Sequence, residues 1–542
     1  MPGALTITVL SDGTPIDQKY ELQSVDVVKA VNRIPTARLM VFDGKVAAQN
    51  YEGSDDPFFE PGKEIEIKAR YEGDTSGDQT LFKGIVLRHS ILANTDNTRL
   101  TVELKDAAFK LTTKRRSKVF KDLTDSDIIA KVIGDGGGLA GNIVATKGTH
   151  PMMVQYRCSD WDFILSRADA NGHLVVANDG EISTLSVKTD GSPALTAEYG
   201  TTDIFNMEME IDIRHQHQSV ESFAWDSNKF DLTGPKSGKE LSLSQGNLDP
   251  ADMAGKLNAT DYDLISCIST IPDEMSAWAD ARMVKDRLSM LRGYVEITGT
   301  GSVKPGDILS LSGVSKRFNG NTLITGVRHQ LDKDGWYTAV QFGISAEDFS
   351  KQIDIIERPA SGLLPAVNGL QLAVVLPFEE DPDGQHRVKV KLPSMNAAEN
   401  VLWARLTSLD AGSERGLMFR PEPDDEVVLG FLNDDPRQPI ILGALHSSIN
   451  APPFPVTDVN EKKGFLSREQ IKLEFDDDAK TVLIETPGGN RIFMEDDNGI
   501  SMECKNGNKL TMTSSGITLE SAKDIKVDGK NITITGTKID VN

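Results

Sequence analysis

The chain has 542 residues, 39% of them hydrophobic and 26% charged, with a formal net charge of −23. That length suits about three or four domains with cores of their own, and the composition is that of a water-compatible folded protein. So acidic a surface repels phosphate backbones and anionic lipid headgroups, which excludes a general nucleic-acid-binding or membrane-adhering role.

Residues 4–110 read as short strands and turns, among them Leu5-Thr6-Ile7-Thr8-Val9, Thr36 to Val41, Glu64 to Ile67, Leu81 to Val86 and Leu100 to Leu104. Their spacing suits a barrel or sandwich. Asp125-Ser126-Asp127 then opens a helix that runs through Ile128 to Ile133 and stops at Gly134. A second helix starts near Ser159-Asp160, carries Trp161, Phe163, Ile164, Leu165 and Ala168, and ends at Asn171-Gly172. Strands return from about 174 to 270. Pro272-Asp273-Glu274 opens the longest helix, with Met275, Trp278, Ala281, Arg282, Val284, Lys285 and Leu288 at helical spacing and Gly293 as its stop. More strands follow to about Phe349.

Arg358 to Pro365 is a linker by composition, residues 369–446 make a compact β unit, and Pro452-Pro453-Phe454-Pro455 is a second, stiff linker. The rest is a beat of tiny strands: Ile471-x-Leu473-x-Phe475, Val482-x-Ile484, Ile492-x-Met494, Ile500-x-Met502-x-Cys504, Leu510-x-Met512, Ile517-x-Leu519, Ile525-x-Val527, Ile532-x-Ile534 and Ile539-x-Val541. The starts lie 11, 10, 8, 10, 7, 8, 7 and 7 residues apart. Alternation of period two gives each strand one dry face, and regular turns between such strands are the signature of a β-solenoid or β-helix.

Ordering one residue costs about 1–2 kcal/mol of backbone entropy. Burying an aliphatic side chain returns about 1.5–3 kcal/mol. With only about two inward aliphatics in each short repeat, one such series does not offset its own ordering cost, so neighbouring copies must close the core. A single-chain solenoid is the alternative, though its coils are longer than these repeats.

The unit at 369–446 reads Val374-Val375-Leu376-Pro377, Asp381-Pro382-Asp383-Gly384, Arg387-Val388-Lys389-Val390, Trp403-Ala404-Arg405, Phe419-Arg420-Pro421-Glu422, Asp425-Glu426-Val427 and Asp435-Pro436-Arg437-Gln438-Pro439-Ile440. This resembles the OB-fold domain of VgrG-type spike proteins and of phage tail needles. Phe82-Lys83-Gly84-Ile85-Val86, Asp160-Trp161-Asp162-Phe163, Pro305-Gly306-Asp307, Arg317-Phe318-Asn319-Gly320 and Gln341-Phe342-Gly343 agree with the same superfamily. The N-terminal half is similar to spikes of extracellular, phage-tail-like contractile particles more than to type VI secretion spikes.

The resemblance implies a mainly β, homotrimeric protein: a paired-barrel hub with a helical insert, an OB-fold domain and a C-terminal triple-stranded β-helix. On that basis residues 1–357 are the hub, with the insert at about 111–172; 358–368 and 447–466 are linkers, 369–446 the OB-fold domain and 467–542 the needle. The needle core is expected at Ile517, Leu519, Ile525, Val527, Ile532 and Ile534, with Ile539, Val541 and Asn542 seating a conical PAAR-like tip protein. The other implied partners are a hexameric inner tube protein, baseplate proteins and effector cargo, with the target membrane met mechanically. Synthesis and assembly in the bacterial cytoplasm follow, then release with the particle into the medium or the target cell. The N-terminus lacks a secretory leader pattern, and no stretch approaches the roughly 18 apolar residues of a membrane span.

Chemistry has few footholds. Gly136-Gly137-Gly138-Leu139-Ala140-Gly141 matches GxGxxG but follows a helix, where no phosphate cradle forms. Arg214-His215-Gln216-His217 puts two imidazoles on one strand face without a third ligand at useful spacing. His89 and His329, each after an arginine, read as structural hydrogen-bonding groups or, alternatively, as tube contacts. Asp424-Asp425-Glu426 and Asp476-Asp477-Asp478 read as solvated turns, and Lys114, Arg115, Arg116, Lys118 and Lys121 as a solvated basic patch. Cys158, Cys267 and Cys504 support neither a disulfide framework nor a zinc site. Neither a catalytic residue nor a cofactor or metal is expected.

Overall fold

The computed structural model describes residues 3–17, 19–44, 50–73, 77–94, 98–351, 358–396 and 399–541. The chain divides into two compact units, 1–357 and 358–542, and is mostly β.

In the first unit a thirteen-stranded sheet runs from Ile204–Ile211 through Leu291–Thr298, Gly335–Phe342, Gly320–Asp332, Glu21–Ala30, Thr36–Phe42, Thr98–Lys105, Gln79–Ala93 and Glu64–Tyr71 to Leu5–Ser11 and Thr14–Pro15, with Ile308–Ser312 and Leu195–Glu198 branching off Gly320–Asp332. Two cores sit on it. Val9, Val27, Leu39, Ile65, Phe82 and Val102 fill one, and Val295, Leu309, Ile324, Val340 and Phe342 the other. The long strand Gly320–Asp332 serves both. Its Ile324 and Val327 enter the second core, while Leu331 enters the first. A register shift between Ile324 and Gly326, and pairing of Gly326–Asp332 with Ser24–Ala30, let one strand change allegiance along its length. The two β-rich regions read from the sequence are thus hydrogen-bonded to each other as one sheet.

A one-turn helix, α1 (Glu52–Asp55), precedes the insert. The insert holds α2 (Asp125–Asp135) and α3 (Asp160–Ala170) against the strands His173–Asn178, Glu181–Ser186 and Ala140–Asn142. Ile128, Ile129, Val132 and Ile133 recur at helical spacing and meet Trp161, Ile164, Leu165 and Val175. Thr124 and Asp127 form a reciprocal capping box at the start of α2, and Ser159 caps α3 through the Asp162 amide at 3.1 Å. Gly134 does not stop α2; the helix continues to Asp135 and closes on Gly136.

The strand-only reading of 174–270 misses α4 (Pro250–Lys256), which Asp249 caps at the Asp252 amide and Pro250 starts. The longest helix, α5 (Pro272–Met290), runs directly into the strand Leu291–Thr298. Gly293 is therefore not its stop. It lies opposite Met209, where a Cβ would come within 2.3 Å of the Glu208 carbonyl oxygen.

In the second unit Gln371–Val375, Val388–Lys391, Val401–Leu406, Pro439–Ala444 and Glu426–Phe431 close a five-stranded barrel around Val375, Val388, Val390, Ala404, Val427, Leu429 and Ile441. The Asp381-Pro382-Asp383-Gly384 string lies in the loop between its first two strands. The Asp381 carboxylate accepts from Arg387 Nη2 at 2.6 Å and from the amides of Gln385 and Arg387 at 2.9 and 3.0 Å. Those bonds hold its carboxyl well below the usual range. Beyond the barrel, seven strands follow in sequence order as an antiparallel meander: Lys462–Leu466, Lys472–Asp476, Thr481–Glu485, Arg491–Glu495, Gly499–Glu503, Lys509–Thr513 and Gly516–Glu520. Residues 462–466, expected as linker, are the first of these strands because they pair in full with Lys472–Asp476.

Candidate assembly interface

The pairing register of the meander sorts its side chains into two files on one face. Phe465, Leu473, Ile484, Ile492, Met502, Leu510 and Leu519 stand opposite one another from strand to strand. Phe475, Val482, Met494, Ile500, Met512 and Ile517 make the second file. The other face carries cross-strand ion pairs, Lys472 with Glu485 at 3.4 Å and Arg491 with Glu503 at 3.1 Å. An antiparallel sheet with one apolar and one charged face must lay the apolar one against something.

Phe419 stacks on Phe465 at the start of the first file, with ring centroids 5.4 Å apart, while the files beyond it stay at least partly open to water. Among the described residues beyond Ile441, no hydrophobic side chain is buried. Exposure is greatest where the files end, 58% at Leu519 and 73% at Ile517, against 40% at Met502 in the middle of the meander. A contiguous apolar face of this extent is the mark of an association surface.

The expected core residues fall into two groups. Ile517 and Leu519 sit on the last strand, at the exposed end of the two files. Ile525, Val527, Ile532 and Ile534 lie beyond it, in backbone without strand partners, and all are exposed, Ile534 at 72%. The triple-stranded wrap expected there is absent from one copy for a plain reason: a strand without a neighbour has no ladder to join. The alternation persists all the same. Lys526 pairs with Asp528 at 3.1 Å and Lys538 with Asp540 at 2.8 Å, so each charged pair shares one side and leaves Ile525 and Val527, or Ile539 and Val541, to the other. Ile539 and Val541, assigned to tip contact, are exposed; Asn542 lies outside the described residues.

Sequence reading missed one apolar pair. Leu483 and Phe493 face each other on the charged side of the meander, both half-buried. The signal was the unbroken triplets Val482-Leu483-Ile484 and Ile492-Phe493-Met494, which mark strands apolar on both faces.

The remaining candidates have structural places. The Arg214–His217 segment is a turn and loop rather than a strand face. His215 is exposed, while His217 Nδ1 lies 2.8 Å from Asp286 Oδ2, so the two imidazoles serve different surroundings. His329 is buried and bonded to Thr338 Oγ1 at 3.0 Å; burial pulls it down to about 3. His89 bridges Ser54 Oγ at 2.7 Å and the Phe59 carbonyl at 3.2 Å. Gly136 caps the C-terminus of α2, and Gly137 and Gly138 follow at positive φ, which puts a carbonyl end of a helix where a phosphate cradle needs amides. Asp425 accepts from the Glu422 amide and Asp476 from the Ala479 amide, as turn carboxylates do. In the basic patch Arg116 pairs with Asp160 and Lys118 with Asp135. Among the described residues no group of three or more His, Cys, Asp or Glu side chains is placed to hold a metal, and no helix is long and apolar enough to cross a membrane.

Comparison with known families agrees with this arrangement. Residues 371–446 match the type VI secretion system/phage-baseplate injector OB domain, and residues 481–542 the phage baseplate V C-terminal trimerisation domain. A mostly β chain with an injector barrel and an uncovered trimerisation segment defines the VgrG-like spike proteins. The chain belongs to the family of the Alg8 N-terminal domain, whose model takes in residues 2–333, more than half of its length.

Similar proteins include the type VI secretion system spike protein VgrG3 of Vibrio cholerae, 24% identical over 68% of this chain and 37% of that protein. Another is the spike protein VgrG1b of Pseudomonas aeruginosa, 24% identical over 73% of this chain and 57% of that protein. The chain therefore spans between about a third and three-fifths of the length of these relatives. Among solved structures, the E. coli c3393 protein, a component of the type VI secretion system, is similar with a TM-score of 0.41 and 14% identity over 81% of this chain and 99% of that one.

Proposed function

We propose that three copies of this chain form the central spike and hub of a contractile injection system. The observation that carries this reading is the pair of apolar files left open on the meander, in the segment that matches a trimerisation domain. Three such faces turned inward bury one another and leave the Lys472–Glu485 and Arg491–Glu503 pairs outside. Residues 521–541, unpaired in one copy, find their ladder partners on the other two and complete the needle core with Ile525, Val527, Ile532 and Ile534.

The resulting rod transmits the force of sheath contraction and opens the target envelope mechanically, without bond chemistry of its own. The hub joins a hexameric inner tube and the baseplate. The distal end, at Ile539, Val541 and Asn542, seats a PAAR-like tip. The protein is assembled in the bacterial cytoplasm and leaves with the particle, with or without effector cargo. Cryo-EM class averages of the purified chain test the reading through their symmetry: threefold averages with a narrow stem support it, and single-copy particles contradict it. Release of soluble muropeptides from peptidoglycan incubated with the chain would replace the mechanical role with an enzymatic one.

A phage tail hub and needle serving DNA delivery is the second reading. It is favoured by the descriptions of both C-terminal family models, which name the phage baseplate. Capsid and terminase genes beside this one favour the phage; sheath, tube and AAA+ ATPase genes without a capsid favour the injection particle.

A further inference from the structure

Lys29 lies on the strand Glu21–Ala30 and is only 7% exposed. Few lysines are buried so far without a carboxylate in full contact. Its Nζ donates to Asn178 Oδ1 at 2.6 Å, and Asp179 Oδ1 lies further off at 3.3 Å. The other oxygen of the same carboxylate, Asp179 Oδ2, accepts from Asn178 Nδ2 at 2.9 Å. One carboxylate thus touches both the amine and the amide nitrogen of the side chain that the amine contacts.

The surroundings hold this group still. Asp179 Oδ1 also accepts from the Lys83 amide at 3.0 Å, and the Gly180 amide donates to Asp106 Oδ2 at 3.0 Å. The turn Asn178-Asp179-Gly180 is thereby pinned at two points, to the interior strand Gln79–Ala93 and to Asp106 just after Thr98–Lys105. Burial pushes the Lys29 ammonium down and the Asp106 carboxyl up. A larger share of Lys29 is therefore the neutral, nucleophilic amine than at an exposed lysine.

We propose that Lys29, Asn178 and Asp179 are the site of an intramolecular amide bond between the Lys29 and Asn178 side chains. With Nζ at 2.6 Å from Oδ1, the carbonyl carbon Cγ lies roughly 3–4 Å away, given a C=O bond of about 1.23 Å, which is near-attack range. The neutral amine attacks Cγ, and the Nζ–Cγ bond forms. Asp179 takes a proton from Nζ through Oδ1 and delivers one through Oδ2 to Nδ2. The Cγ–Nδ2 bond then breaks and ammonia leaves. The sum is amine plus primary amide giving secondary amide plus ammonia, with no oxidant, reductant or cofactor.

Such a link joins residues 149 apart, tying a strand of the large sheet to the turn between His173–Asn178 and Glu181–Ser186. Covalent closure of so long a loop removes chain entropy from the unfolded state, as a disulfide does, but survives reducing conditions. The link forms or fails whether or not the chain acts as a spike.

The test is intact-mass and peptide-mapping mass spectrometry of the full, folded chain after incubation at mildly alkaline pH. The expected result is a mass short by one ammonia and a branched tryptic peptide joining Lys29 to Asn178. Lys29→Arg and Asn178→Ala should restore the full mass. Asp179→Asn should fold, by circular dichroism, yet stay unlinked. A full mass with separate peptides in the native chain overturns the proposal and leaves an ion pair. An ammonia loss that peptide mapping places at Asn178 in Lys29→Arg also overturns it, since it would mark cyclisation of Asn178 onto its own backbone. Where the variants fail to fold, the peptide map of the native chain decides alone.

Discussion

Met502 stands directly opposite Ile492 on the apolar face of the C-terminal meander, and neither side chain is buried in one copy. The same relation continues through Ile484 and Leu473 in one direction and Leu510 and Leu519 in the other. Met502→Asp should therefore leave the single-chain fold intact and stop association, because each copy would bring a carboxylate into a shared apolar interior. Ile532→Asp should act alike further along the needle, with loss of resistance to heat, SDS and trypsin. Gel electrophoresis without boiling and limited trypsin digestion check both.

Gly499 opens its strand at φ 84°, where a Cβ would lie 2.0 Å from the Met512 carbonyl oxygen. Gly499→Ala is expected to spread the pairing with Lys509–Thr513 at a cost of about 1–3 kcal/mol. Earlier proteolytic nicking near residue 499 is the readout.

Arg287 is fully buried on α5. Its guanidinium donates to Glu240 at 2.5 and 2.9 Å, to Gln216 Oε1 at 3.1 Å and to the His217 carbonyl at 2.9 Å. Together with Asp286, whose Oδ2 lies 2.8 Å from His217 Nδ1, it ties Gln216 and His217 to α5. Arg287→Met strands those acceptors and should cost about 2–3 kcal/mol, less than a wholly buried pair because Glu240 keeps contact with water. Urea denaturation of the hub measures it.

His329 is held neutral: burial takes it from the ordinary 6.5 to about 3. As pH falls below about 6.5 the unfolded chain accepts a proton that the folded chain refuses. Stability from this residue is thus complete above that pH and declines down to about 3, by at most about 1.4 kcal/mol per pH unit. His329→Gln keeps a partner for Thr338 and removes the titration. The stability gap between native chain and variant should narrow from pH 7 to pH 5, as read from urea midpoints.

Where residues speak to their neighbours in sequence, the fold was legible. The period-two beat from Leu473 to Leu519 gave real strands with the right dry face, and Asp125, Ser159 and Pro272 marked true helix starts. The failures share a cause in tertiary context. Gly293 looks like a helix stop, yet its role is to let the Met209 strand approach. Arg282, Lys285, Asp286 and Arg287 are buried on α5, with partners such as Asp169, Glu240 and Asp348 supplied by distant segments that no local pattern names. The Lys29–Asn178 contact joins residues too far apart for any local pattern to announce. The two apolar files were legible because they repeat, and repetition is what a short-range reading detects best.

Sedimentation equilibrium of the full chain at micromolar concentration is the most direct test of the association on which the spike assignment rests. A single species of three times the 59.1 kDa chain mass is expected. A stable, folded species at 59.1 kDa would contradict it, because the two apolar files would then remain in water at equilibrium.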